Sequence, residues 1–291
     1  MRRLYAIFTL LIICGTVTAQ SYEQLCAQGE QSIQNKQYSE AIAAFQKAIA
    51  LEPNNRLNEY VYSNLAHAQW STGKKNDAII SYTNALRYNP RSTATLQQRA
   101  RIYIETEQLD SALNDYNSTL LIEPRNTHAL FMRAYIYGNK QEYKKAYADY
   151  NTLLSIEPDN NKARLSLALL YHKAGQLNES IMLIGILIDS EPENAEYYYA
   201  RNNIESHEGQ RELAIIDIER AIELAPQTAE YRVALAELLI TKKMFNDARQ
   251  ELDKATQLGC ERELLIPLYN TINAKKQTPN AYASGVCYMD K

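Results

Sequence analysis

Glycine and proline are scarce in this chain, nine and eight in 291 residues. An all-β protein needs many turns, and this content is lean for that class. Phenylalanine and tryptophan are nearly absent (four and one), whereas tyrosine occurs 22 times. Many positions therefore want a large flat side chain that keeps one polar tip wet. There is no CxxC, no HExxH, no glycine-rich phosphate loop and no GxSxG, so none of the zinc, nucleotide or hydrolase signatures is present. We expect no enzyme activity, no cofactor and no metal site. The four histidines, His67, His128, His172 and His207, read as surface or groove residues. The carboxylates fall on helix faces where solvated charge is expected.

Neither sign of charge dominates. The formal net charge is −3, and it becomes −5 without Arg2 and Arg3. A mildly acidic surface does not attract phosphate backbones or anionic lipid, so nucleic acid is not an expected partner. Beyond residue 14 there is no apolar run long enough for a membrane helix. The first 19 residues do form a leader pattern: Arg2-Arg3, the apolar run Leu4–Cys14 broken only by Thr9, then Val17-Thr18-Ala19. This predicts a secretory signal peptide cut after Ala19, and so export to the periplasm or cell envelope, or secretion. A lipidated Cys14 is the rival reading, disfavoured by the large Ile13 before it. Three cysteines remain after cleavage, Cys26, Cys260 and Cys287. Cys260 and Cys287 could pair in an oxidising compartment, with unpaired thiols as the alternative.

What the chain has in abundance is repetition. Pro53, Pro90, Pro124, Pro158, Pro192 and Pro226 are 37, 34, 34, 34 and 34 residues apart, and Cys260 falls another 34 on. Twelve residues before each marker stands a small residue: Ala41, Ala78, Ala112, Ala146, Ser180, Ala214 and Ala248. Four later comes a bulky one: Phe45, Tyr82, Tyr116, Tyr150, Ile184, Ile218 and Leu252. Such spacing marks one helix face. Earlier in each unit a second small position recurs at Gly29, Ala66, Ala100, Ala134, Ala168 and Ala236, with Asn202 as the exception.

Each unit therefore predicts two helices of about 12–14 residues, whose small-residue stripes let the backbones approach to roughly 8–10 Å. Proline stops the second helix. Asn55, Ser92, Asn126, Asn160, Asn194 and Thr228, two residues beyond each proline, are candidate N-caps of the next helix. Gly73, Gly175 and Gly209 mark the turn inside three units. The extra residues Arg56-Leu57-Asn58 are read as lengthening the first helix of the second unit, a longer loop being the alternative. Residues 261 to 276 predict a last helix with Leu264, Leu265, Leu268 and Ile272 on one side, and Pro267 either in its first turn or bending it.

The series Leu96, Ala100, Tyr103, Ala112, Tyr116, Pro124 and its echo Leu130, Ala134, Tyr137, Ala146, Tyr150, Pro158 resemble the tetratricopeptide repeat family. The resemblance implies an all-α, right-handed superhelical solenoid of seven helix pairs over residues 20–260. A capping helix and loose tail would follow over 261–291. It also implies a scaffold or adaptor that binds a peptide or helix of a partner protein. In this family the first helices line a concave groove, which places Tyr60, His67, Trp70, Gln97, Arg101, His128, Phe131 and Tyr135 there, followed by Lys162, Leu165, Leu169, His172, Tyr199, Asn203 and His207. Phe131, Leu165 and Leu169 have the alternative role of sealing contacts between adjacent first helices. The Lys and Asn clamp with which some members grip a terminal carboxylate is absent. A second reading is a structural subunit of an envelope or secretion assembly, bound through the convex face or ends.

Overall fold

The computed structural model describes residues 20–276. The proposed signal peptide and the Cys260–Cys287 pairing both involve residues outside that span. Among the described residues there are fifteen α-helices and no strand. The chain divides between Ala129 and Leu130 into two compact units. The first contains α1 (Tyr22–Gln34), α2 (Tyr38–Leu51), α3 (Asn58–Ser71), α4 (Lys75–Tyr88), α5 (Thr93–Glu105), α6 (Leu109–Ile122) and the start of α7 (Thr127–Asn139). The second contains the rest of α7, then α8 (Tyr143–Ile156), α9 (Asn161–Lys173), α10 (Leu177–Ser190), α11 (Ala195–His207) and α12 (Arg211–Leu224). It ends with α13 (Ala229–Thr241), α14 (Phe245–Gln257) and α15 (Arg262–Lys276).

The small-residue stripe is the axis of every pair. Ala41, Ala78, Ala112, Ala146, Ser180, Ala214 and Ala248 are all fully buried, and Phe45, Tyr116, Ile184, Ile218 and Leu252 behind them are equally sealed. Full burial of one such apolar side chain is worth roughly 1.5–3 kcal/mol. A Cβ on Gly29 would lie 2.4 Å from the Phe45 ring, so only glycine lets α1 close onto α2. Asn202, the exception to the small position, is buried, and its Nδ2 donates to the Ala214 carbonyl at 2.8 Å.

The turn within each pair is the same in all seven repeats. Its tight residue takes positive φ: Gly73, Gly175 and Gly209 at 76–78°, but Lys36, Glu107, Gln141 and Lys243 at 59–63°. The next N–H closes a long bond back onto the first helix, as in Gln37 to Ser32 O (2.8 Å), Gln108 to Tyr103 O (2.8 Å) and Gln176 to Tyr171 O (2.8 Å). This is the Schellman arrangement, which satisfies carbonyls that the helix end leaves free.

At four of the six joints between pairs stands a Glu-Pro-x-Asn staple; the other two read Asn89-Pro90-Arg91-Ser92 and Ala225-Pro226-Gln227-Thr228. Glu52, Glu123, Glu157 and Glu191 end a second helix and accept a bond from the side-chain amide of Asn55, Asn126, Asn160 and Asn194, at 2.7–2.9 Å. Asn126, Asn160 and Asn194 cap the next helix as expected, accepting from Ala129, Ala163 and Glu196 N–H. Ser92 and Thr228 stand at the N-cap position without a side-chain bond to it. Asn55 is not a cap, because α3 starts later. Arg56 and Leu57 fold into an added turn, and only Asn58 lengthens the helix. Asn58 is fully buried, donating to the Glu52 carbonyl at 2.8 Å and accepting from the Tyr22 hydroxyl at 3.0 Å. Those two bonds hold the inserted turn in place.

α15 covers the end of the last pair with Leu265, Tyr269 and Ile272. Leu264, expected on that side, is exposed, and Pro267 lies beyond the first turn.

The expectation of solvated carboxylates fails at Glu205 and at one recurring station. Asp115, Asp149 and Asp217 are buried. Each is bonded by both its oxygens to an arginine sixteen residues earlier, Arg99, Arg133 or Arg201, at 2.6–2.9 Å. In the fifth repeat the same two stations hold Leu167 and Leu183.

Candidate partner-binding face of the first helices

In the first unit, α3 and α5 bring Trp70, Arg101 and His67 together. The Arg101 guanidinium lies 4.5 Å from the centre of the indole ring, a cation–π contact. The indole Nε1 donates to Glu105 Oε2 at 3.0 Å, and Lys75 pairs with the same carboxylate at 3.2 Å. Burial pushes the Glu105 carboxyl up, but Trp70, Lys75 and Arg101 together outweigh it and hold it below the usual carboxylate range. A cleft of about 400 Å³ is lined by His67, Trp70, Tyr82, Thr95, Gln98 and Arg101. Gln97 does not line it; the neighbouring Gln98 does. His67 meets Tyr38 edge-on at 6.1 Å, and exposed His128 meets Tyr116 at 6.4 Å. Burial pushes the Tyr116 hydroxyl up to about 12. Tyr60 is 63% exposed.

In the second unit, Phe131 on α7 stands edge-on to Tyr150 at 5.6 Å, with the Lys162 ammonium 5.1 Å from its ring centre. Phe131 is therefore half-buried between neighbours, whereas Tyr135, one turn on, is exposed. Tyr135, Leu169 and Lys173 line a cleft of about 200 Å³ floored by Gly138 and Tyr150. A Cβ on Gly138 would meet Leu170 Cδ1 at 2.8 Å, so a side chain there would make the Leu170 end shift. Leu165 packs into the core cluster around Ala168 and Ile184, as the sealing alternative has it. Tyr199 donates to Glu230 Oε1 at 2.8 Å and packs on Tyr231 at 4.8 Å. With Asn203 it lines a wider cleft of about 670 Å³ bounded by Leu264 and Leu268 of α15. His172 and His207 lie close together, their ring centres 5.2 Å apart.

In the first unit Trp70 is steadied by Arg101 and Glu105; in the second Phe131 is steadied by Lys162 and Tyr199 by Glu230. Gln98 and Glu105 escaped sequence reading although the local signal exists. Positions 94, 98, 101 and 105 share one face of α5 by helical spacing.

Tetratricopeptide repeat models match residues 22–55, 60–92, 140–204 and 195–228. The chain belongs to the tetratricopeptide repeat family. A tetratricopeptide repeat protein from Parabacteroides merdae is 29% identical with a TM-score of 0.71, over 88% of this chain and 100% of that one. The C-terminal part of a repeat-containing protein from Cytophaga hutchinsonii is 18% identical with a TM-score of 0.62, over 79% and 92%. MamA is 20% identical with a TM-score of 0.55, over 60% and 94%. No curated protein matches the sequence. Tetratricopeptide repeat proteins are generally non-catalytic scaffolds that bind other proteins or peptides. No helix of the described residues is long and apolar enough to cross a membrane.

Proposed function

We propose that this tetratricopeptide repeat protein is an adaptor exported to the cell envelope, where its first helices hold a peptide or helix of a partner protein. The observation that carries the reading is the paired decoration of those helices: in the first unit Trp70 under Arg101 with Tyr60 exposed, and in the second Phe131 under Lys162 with Tyr135 exposed. Aromatic side chains and arginine dominate the energetics of protein interfaces. Rings already fixed by neighbours lose little freedom on binding. Export rests on the leader pattern of residues 1–19. Mature protein recovered from the envelope fraction with its mass starting at Gln20 supports it; full-length protein in the cytosol refutes it.

The groove reading is tested by replacing Phe131 and Tyr135 with alanine in the native host and isolating bound proteins by affinity capture. Loss of one reproducible partner from the double variant supports it, and an unchanged set overturns it.

A second reading has an observation of its own. Met182 and Ile186 on α10, and Leu213 and Ile216 on α12, are exposed apolar residues on second helices. They suit a fixed subunit of an envelope assembly docked through the opposite face. In-cell crosslinking separates the two readings. Adducts from Tyr60 and Tyr135 favour the adaptor; adducts only from Met182 and Ile216 favour the fixed subunit.

A further inference from the structure

The structure assigns a divalent-metal site of the zinc-accepting class to His172, His207 and Glu208, in the second unit. The sequence gives little hint of it. The histidines sit 35 residues apart in successive repeats, and no spacing motif joins them. Folding brings them together because both stand at the ends of first helices. His172 lies in the last turn of α9, and His207 is the last residue of α11. Glu208 caps α11 immediately before Gly209, whose positive φ of 76° turns the chain back. All three ligands therefore hang from helix ends and a tight turn rather than from mobile loops.

The geometry suits a metal ion. Glu208 Oε1 lies 3.4 Å from His172 Nε2 and 3.4 Å from His207 Nδ1. The ligand atoms all fall within 4.8 Å of one another. A tetrahedral ion with bonds of roughly 2.0–2.1 Å sets its ligand atoms about 3.3 Å apart. Both carboxylate–imidazole edges already have that length, and the third, no longer than 4.8 Å, would shorten by movement of the more exposed His207 ring. The two rings meet at 87°, so they approach edge to face rather than stacked. Among the described residues this is the one place where three such side chains converge.

The chemistry selects the ion. Two imidazoles and a carboxylate form a borderline donor set, suited to Zn²⁺ and, in the order of intrinsic affinity, to Ni²⁺ and Cu²⁺, but not to Ca²⁺ or Mg²⁺. The side chains of His172, Glu208 and His207 are 23, 37 and 74% exposed. One flank is therefore open to water, which would complete the coordination as in other three-ligand sites. The ion would tie α9 to α11 and hold successive first helices at a fixed distance. This inference stands apart from the partner-binding reading and survives its failure.

The test uses tag-free full-length protein, stripped with chelator and placed in a non-coordinating buffer. Zn²⁺ is added during calorimetry and during thermal unfolding, and Co²⁺ during absorption spectroscopy. We expect saturable binding of one ion per chain, a rise in unfolding temperature because the ion binds only the folded state, and visible Co²⁺ bands. His207→Ala, at an exposed position where the fold is not disturbed, should weaken affinity at least about tenfold and erase the Co²⁺ bands. His172→Ala and Glu208→Ala should do the same, whereas His128→Ala should leave affinity unchanged. Absence of saturable Zn²⁺ binding, or wild-type affinity in His207→Ala, overturns the assignment.

Discussion

Replacing the buried ion pair Arg99–Asp115 by two leucines should cost nothing or stabilise the protein, while either single replacement should damage it. The pair is well made: Arg99 Nε and Nη2 reach Asp115 Oδ2 and Oδ1 at 2.9 and 2.6 Å, and Nη1 donates to Thr83 Oγ1 at 2.9 Å. Both partners shift upward in pKa, which favours the charged form of Arg99 and disfavours that of Asp115. Burial lowers the Arg99 guanidinium, and its bonds to Asp115 more than restore it. For Asp115, burial pushes the carboxyl above its ordinary range, and Arg99 does not compensate. Asp115 is the deeper of the two, with a side chain 5% exposed against 17%, so the desolvation penalty governs. Arg99→Leu then strands a buried carboxylate, at about 3–5 kcal/mol. Asp115→Leu costs less, because the guanidinium retains Thr83 and some water. The double replacement should fall between neutral and about 4 kcal/mol more stable. Each kcal/mol moves the melting temperature by about 2–4 °C at this size. Circular dichroism during guanidinium and thermal unfolding reads all four proteins of the cycle. If the double variant were destabilised by the sum of the single losses, the reasoning would be wrong. The fifth repeat, with Leu167 and Leu183 at these stations, is the natural precedent.

Glu205 shares its helix with Arg201 and is buried beside Asp217. Burial and then Asp217 push its carboxyl to about 7, against the pull of Arg201. Its folded value lies above its unfolded one, so its contribution to stability is complete below about pH 4.5 and is lost as pH rises through 7. Glu205→Gln should flatten that slope, on the order of 2 kcal/mol, in unfolding curves taken between pH 5 and 8; an unchanged slope refutes the assignment. Gly73 has positive φ and empty space where a Cβ would go. Gly73→Ala should therefore lose about 1–2 kcal/mol from backbone strain alone, and Lys36→Gly at the equivalent turn should gain part of that. Chemical denaturation giving Gly73→Ala the wild-type midpoint would contradict this. Ala112→Leu should overpack the α5–α6 contact at about 1–3 kcal/mol, seen as a lower melting temperature; no change would remove Ala112 from the packed stripe.

The repeat itself was legible because helix-to-helix packing imposes the same volume limit every 34 residues. Ala112, Tyr116 and Pro124 can each be recognised by size or backbone chemistry alone. The Arg–Asp pairs were not, because a sixteen-residue separation joins two helices and leaves no mark on the periodicity of either. Singly, Asp115 and Asp217 look like solvated charge. The turns at Lys36, Glu107, Gln141 and Lys243 were hidden for the converse reason. Schellman closure forces positive φ on whatever residue stands there, and only glycine advertises it. On the candidate face, family position led to Trp70, Arg101, Phe131 and Tyr135. Gln98 and Glu105 went unread because counting across repeats overrode the local face of α5, where they line up with Arg101.

Where the Glu-Pro-x-Asn staple recurs in succession it makes the units interchangeable. The segments Asn126 to Glu157 and Asn160 to Glu191 each carry half of a clasp at either end, and those halves are alike. Duplicating or deleting one such segment regenerates an intact clasp. An insertion of another length, as at Arg56–Asn58, survives only where a residue such as Asn58 knits the break. A gene built this way can lengthen or shorten its product by whole links while each seam stays as strong as before.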